Sequence, residues 1–327
     1  MSHANLSVFV PHIGCPNRCS FCDQHTISGS RCAPTPQQVQ QLSTQAMQQR
    51  SGQLNNTQLA FFGGSFTAIE REYMLSLLQA AQPFLGKDGF AGIRISTRPD
   101  AVDEPMLDCL QQYGVNAIEL GAQSMSDRVL ECNGRGHTAE QVADASRRIR
   151  ARGIELGLQM MTGLYGAARQ DDIDTAYLLA QLQPSTVRIY PTITLQGTML
   201  ERLYRAGEYQ PMQLEEAVEE CSELLYLKIR GYGSSAWDCT RRNPWSRDMW
   251  QDRTIRHFAS CAKEGCICSR HCGRYSIFQK ERRCVSVLHQ THFPKWQDST
   301  AVTCSGCSSV IRSKSAHAAA CSRLKCW

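Results

Sequence analysis

The sequence has no long apolar run. Nothing in its 327 residues approaches the ~20 consecutive apolar residues of a membrane-spanning helix, so no membrane partner is expected. Its opening, Met1-Ser2-His3-Ala4-Asn5, lacks the basic stretch and apolar segment of a secretory leader. A cytoplasmic protein is the expectation, and such proteins make little use of disulfides. Core-forming side chains are scarce in the last 95 residues. Leu, Ile, Val and Phe make up 13 of them, below the ~20% at which a chain struggles to bury a core. Those residues also lack helical or strand periodicity. The first 232 residues hold only 7 of the 17 cysteines, against 10 in the shorter remainder. They also lack positive charge, with 19 Lys+Arg against 24 Asp+Glu, and so carry no electrostatic footprint for nucleic acid. The remainder has 16 against 6. The net charge of +5 therefore hides two unlike segments, 1–232 and 233–327, that meet near Gly231–Gly233.

What is there, through residue 232, is alternation. Apolar strand-like runs at 6–10, 57–62, 93–97, 117–120, 154–161 and 186–191 are separated by helical stretches at 37–50, 70–83, 104–113, 138–152 and 171–182, and a long amphipathic helix spans 214–229. Thr35 before Pro36, and Thr138 with Gln141, read as helix starts. About six β–α pairs imply a parallel sheet with helices outside it. An incomplete β/α barrel fits best, because the glycine-rich and polar stretches repeatedly follow a strand, and in a barrel those positions gather at one end. An open doubly wound sheet is the runner-up.

The chemistry concentrates after the first strand, in Cys15-Pro16-Asn17-Arg18-Cys19-Ser20-Phe21-Cys22. Three thiolates so near in sequence can converge on one metal centre, and an odd one is left over from any disulfide pairing. Three ligands on a four-iron cluster leave one iron open to substrate or cofactor. His12 and His25 flank the loop, so zinc with one of them as a further ligand stays open. Three unrelated buried cysteines are the other reading, which so tight a grouping disfavours.

The C-x3-C-x2-C spacing, with Phe21 before the last cysteine, resembles the signature of the radical S-adenosylmethionine (radical SAM) superfamily. The resemblance implies a partial (β/α)6 barrel. It also implies a [4Fe–4S] cluster on Cys15, Cys19 and Cys22, with SAM chelated at the fourth iron and Phe21 beside the cofactor. It further implies a small electron donor of flavodoxin or ferredoxin type. The later loops fall in the order that the family requires. Gly63-Gly64-Ser65 is similar to the glycine-rich motif whose backbone meets the amino group of SAM. The usual acidic third residue is Ser65 here, as in relatives of the Elongator catalytic subunit. An ordinary βα turn is the other reading of those glycines. Ser96 and Arg98 end the third strand, where hydroxyls and a guanidinium can bind ribose or carboxylate. Arg98 and Asp100 can equally form a surface ion pair. Gly121-Ala122-Gln123-Ser124 and Arg135-Gly136-His137-Thr138 resemble stretches shared by Elongator-type and coproporphyrinogen-oxidase-type radical SAM enzymes. Gln123 is the candidate for a catalytic or binding contact to SAM or substrate. Arg135 is a candidate partner of the SAM carboxylate, or else a solvated residue of a helix-capping loop. Tyr190, in the barrel mouth, is a candidate for substrate contact or proton relay, or a structural hydroxyl.

The expected activity is reductive cleavage of SAM to a 5′-deoxyadenosyl radical that abstracts hydrogen from a substrate. A tRNA base is one substrate that the resemblance suggests, and a porphyrinogen is another. Two other classes stay open: an electron carrier using the cluster alone, and a zinc protein that holds nucleic acid through its tail. For that Cys- and Arg-rich tail, expected to be poorly ordered, three readings compete. It is an auxiliary iron–sulfur or zinc module, a basic nucleic-acid-binding arm, or the product of a translational frameshift.

Overall fold

Among the described residues, seven strands run parallel in one sheet, and their spatial order is their order in the chain. The strands are β1 (Ala4–Val10), β2 (Thr57–Gly63), β3 (Ile93–Thr97), β4 (Val115–Gln123), β5 (Glu155–Thr162), β6 (Thr186–Pro191) and β7 (Ala236–Cys239). Between them run α1 (Pro36–Gln49), α2 (Arg71–Ala81), α3 (Glu104–Gln112), α4 (Asp127–Cys132), α5 (Ala139–Ala151), α6 (Arg169–Gln181), α7 (Met199–Arg205) and α8 (Leu214–Leu227). The computed structural model describes residues 4–11, 15, 19–23, 32–49, 54–227 and 236–239. His12, His25 and all tail cysteines except Cys239 lie outside them, and so do the three readings of the tail.

Strand order settles the choice of architecture. Crossovers between parallel strands are right-handed, so a sheet that adds each strand on the same side puts all its helices on one face. A doubly wound sheet must reverse its order at a switch point, and this one never does. The fold is therefore the incomplete barrel rather than the open doubly wound sheet. β7 lies beyond residue 232, where the strand periodicity legible in the sequence ends; four residues are too few to show a period. Between β6 and α8, the short helix α7 also escapes the periodic pattern, as does α4 after β4.

Alternation along each strand sends one set of side chains outward and the next inward. Val8, Phe61, Ile95, Ile118, Leu158 and Ile189 go outward and are buried against Leu77, Leu110, Val142, Leu179 and Leu224 of the helices. This seam is the main core. The inner face is polar. Glu119 on β4 accepts from Arg94 of β3 at 3.3 Å, Arg188 of β6 at 2.8 Å and Gln159 of β5 at 2.8 Å. Arg94 also donates to Gln58 of β2 and Glu155 of β5. Five strands are thus tied across the lumen. The helices begin where the sequence asks. Thr35 with Gln38, and Thr138 with Gln141, exchange reciprocal side-chain-to-backbone bonds at the starts of α1 and α5.

Candidate metal and cofactor site

The cysteine loop leaves β1 at a place fixed by backbone. Gly63 ends β2 at φ 124°, and a Cβ there would stand 2.3 Å from the Val10 carbonyl, so only glycine fits. The next amide, Gly64 N–H, donates to that same carbonyl at 3.0 Å. Ser65 N–H then points to the Cys15 thiol. Gly63, Gly64 and Ser65 therefore clamp the exit of β1 and the first cysteine together. The Ser65 hydroxyl bonds to Thr97 at 2.8 Å and accepts from the Arg98 N–H at 3.2 Å.

The rest of the loop is held from far along the chain. Ser20 N–H donates to the Asn133 carbonyl, and its hydroxyl donates to Asn133 Oδ1 at 2.6 Å. Asn133 spends both amide hydrogens on the carbonyls of Val129 and Tyr165. Ser20 in turn receives Leu200 N–H at 2.8 Å. Phe21 is buried with Cys19, Val129, Met161, Leu164, Leu200 and Tyr209, a second apolar cluster against which Cys22 and Tyr190 pack. Tyr190 therefore lies beside the cysteine loop.

Two guanidiniums face the thiols. Arg135 Nη1 approaches Cys19 Sγ at 3.1 Å, and its Nη2 donates to the Gly121 carbonyl at 2.6 Å. Arg135 is buried, so it is not the solvated residue of a capping loop. Arg98 is buried too. It pairs with both oxygens of the exposed Asp100 at 2.9 Å, the ion pair that the sequence also offered, and donates to the Arg135 carbonyl on its buried side. Burial pushes the Cys15 thiol up, while the Ser65 N–H, Arg98 and Arg135 pull it back. His137 is pushed down to about 4 by burial and by the charge on Arg135. It is neutral, with Nε2–H donating to the Ala122 carbonyl at 3.2 Å.

Gln123 terminates β4 in left-handed backbone, φ 68°, at a bulge where Gly121 and Gln123 face successive residues of β5. A side chain at Gly121 would crowd Gln123 Nε2 and Arg135 Nη2, at 3.0 and 3.4 Å from its Cβ. Ser96 lies on the lumen side, opposite Glu119 in register, while Thr97 joins Ser65 and Thr67. Thr97 and Asn133 are the anchoring positions around the cysteine loop that local sequence pattern did not single out. Asn133 lies two residues before the Arg-Gly-His-Thr stretch, but its partner Ser20 is 113 residues away.

Among the described residues, no three His, Cys, Asp or Glu side chains gather around a single-ion site. A four-iron cube bonds each thiolate to a different iron, so its ligands need not meet at one point. The donor set fits that group. The same surroundings leave Arg98 Nη1, Gln123 Oε1 and His137 Nδ1 buried and without a partner. Buried polar atoms are rarely left so. Three such atoms beside the Arg98–Arg135 pair suit a ligand rich in polar groups, which SAM is.

Known proteins resemble this chain in sequence and fold. The Radical SAM superfamily matches residues 9–179, and the Radical SAM C-terminal domain matches residues 184–230. An uncharacterized protein of Methanocaldococcus jannaschii is 28% identical over 223 residues, covering 65% of this chain and 68% of that one. The tRNA uridine(34) acetyltransferase of the same organism is 28% identical over 50% of this chain. This chain spans only 34% of that enzyme's length. Among solved structures, the archaeal Methanocaldococcus infernus Elp3 aligns with TM-score 0.58 over 81% of this chain and 64% of its own, at 20% identity. Coproporphyrinogen III oxidase from Escherichia coli aligns with TM-score 0.51 over 70% of this chain and 53% of its own, at 16% identity, which shows the fold alone. The superfamily match starts inside β1, takes in the cysteine loop and runs through more than half of the sequence, and on that ground the chain belongs to the radical SAM superfamily.

Proposed function

We propose that this protein cleaves SAM reductively and uses the resulting radical on a uridine of tRNA. Cys15, Cys19 and Cys22 would hold a [4Fe–4S] cluster. When bound, that cluster supplies the electron that splits SAM into methionine and a 5′-deoxyadenosyl radical. The chain's own residues do the rest. Arg135 and Arg98 offset the negative charge of the thiolates. Phe21, Leu200, Tyr209 and Met161 keep water from the cysteine side. Gln123 offers an unspent amide oxygen to SAM or substrate. The inner layer of Glu119, Gln159 and Arg188 is a polar floor for the substrate. A small electron donor of flavodoxin or ferredoxin type would reduce the cluster.

The observation that carries this reading is the buried Arg135 guanidinium set on the buried Cys19 thiol, with Arg98 packed behind it and partnerless polar atoms beside them. The substrate rests on the tRNA-modifying relatives. Anaerobic reconstitution tests both parts. About four irons and four sulfides per chain are expected, with 5′-deoxyadenosine released on adding dithionite and SAM. Cys15→Ala should abolish both. Zinc in place of iron, or a reduced-cluster spectrum that SAM leaves unchanged, would overturn the reading. Unfractionated tRNA should accelerate 5′-deoxyadenosine release; acceleration by coproporphyrinogen and not by tRNA would move the substrate to the other class.

A further inference from the structure

Two carboxyl groups are buried where α6 meets α8. Asp172 of α6 and Glu220 of α8 are each 1% exposed and lie within hydrogen-bond reach of each other. Asp172 Oδ1 and Glu220 Oε1 have no other donor. Asp172 Oδ2 accepts the Gly163 N–H at 2.9 Å. Among the described residues, no Lys, Arg or His forms an ion pair with either carboxyl. Arg169, whose charge is felt at Glu220, pairs instead with Glu223 at 2.6 Å. The other charges that face the pair are acidic: Asp171 on α6, and Glu216 and Glu223 on α8. Tyr209 faces it from the loop before α8, with its hydroxyl donating to the Gly163 carbonyl at 2.8 Å. Two carboxylates in contact, out of water and without a cation, cannot both stay ionised. One proton must lie between them.

We propose that Asp172 and Glu220 form a shared-proton latch that holds α8 to α6 and, through Gly163, positions the loop after β5 against the cysteine loop. The path is continuous. Gly163 leads to Tyr165, whose carbonyl accepts from Asn133, and Asn133 holds Ser20 between Cys19 and Cys22. Asp172 is a positioning residue and touches neither thiol nor ligand. Neither cluster nor SAM enters the argument, so it stands or falls apart from the proposed function.

The sign follows from linkage. Burial and Glu220 push the Asp172 carboxyl up to about 8, against about 4 in an unfolded chain. Between those values the folded chain holds a proton that the unfolded chain has released. Stability therefore falls as pH rises through the window and levels off above it.

Chemical denaturation of the full chain between pH 5 and 8 reads this out. The wild-type folding equilibrium constant should fall by up to about tenfold per pH unit beyond that of the variants Asp172→Asn and Glu220→Gln. An Asn at 172 can still accept from Gly163 and can donate to Glu220, so it mimics the protonated acid. Equal pH dependence in wild type and both variants would overturn the latch. Should neither variant fold, amide exchange at Gly163 in the wild type decides. Protection that declines over this range is expected, and protection that does not decline refutes the proposal.

Discussion

Ile118 and Glu119 are neighbours on β4, buried to 0% and 1% exposure, and they face opposite ways. Ile118 enters a seam of aliphatic and aromatic side chains between sheet and helices. Glu119 enters a lumen where two arginines and a glutamine converge on it. A closed eight-stranded barrel packs its interior with branched aliphatic residues. Here the outer face carries the main apolar core, and the inner face mixes ionic and amide groups with a few apolar ones such as Phe62 and Met161. The lesson is a division of labour along one strand: outward residues make the apolar seam, and inward residues make a polar layer that ties the strands together.

That division can be broken from either side. The two largest effects are of like size. The first is from Glu119→Ala, which takes the shared acceptor from Arg188 and from Arg94, the latter keeping Glu155 and Gln58. Loss of one partner of a buried pair costs about 3–5 kcal/mol. Arg188, 26% exposed, can turn toward solvent, which places the cost at the lower end of that range. The paired change Arg94→Met with Glu119→Leu should cost less than Glu119→Ala alone. If denaturant titration finds the double variant worse, the inner layer is not an ionic network. Leu158→Ala, on the outer face of β5, removes a packed side chain from the seam, for about 2–5 kcal/mol by the same measurement. It should leave iron content after reconstitution unchanged. The smallest effect is at the periphery. Thr138→Ala removes one half of the capping box of α5, at about 1 kcal/mol, and a shift in the denaturation midpoint checks it.

The outward half of this plan was legible in the sequence. Apolar runs of strand length, alternating with helical periods, gave six of the seven strands and the parallel sheet. The cysteine triplet was legible as well, because its spacing is local. Other parts were hidden for physical reasons. Arg135 meets Cys19 across 116 residues, and no local pattern encodes that contact. Gln123 looked like the first turn of a loop, whereas β4 continues through it by way of a bulge. Thr97 and Ser96 are adjacent and alike in chemistry, and only the pleat decides which of them joins Ser65. Asp172 and Glu220 sat among other acidic residues on helices that read as ordinary amphipathic ones. Their burial depends on how α6 and α8 cross, which composition does not reveal.

The cysteine loop has one more consequence, and it concerns time. Residues 19–23 leave the ribosome early, but their anchors are Asn133 and Leu200, the farther one about 180 residues behind. At translation rates of about 5–20 residues per second, that is a wait of roughly ten to forty seconds. Through that interval the thiols have no finished scaffold around them. Metal delivery to a nascent chain would therefore meet unanchored ligands, and a stable centre must wait until most of the described chain has been made.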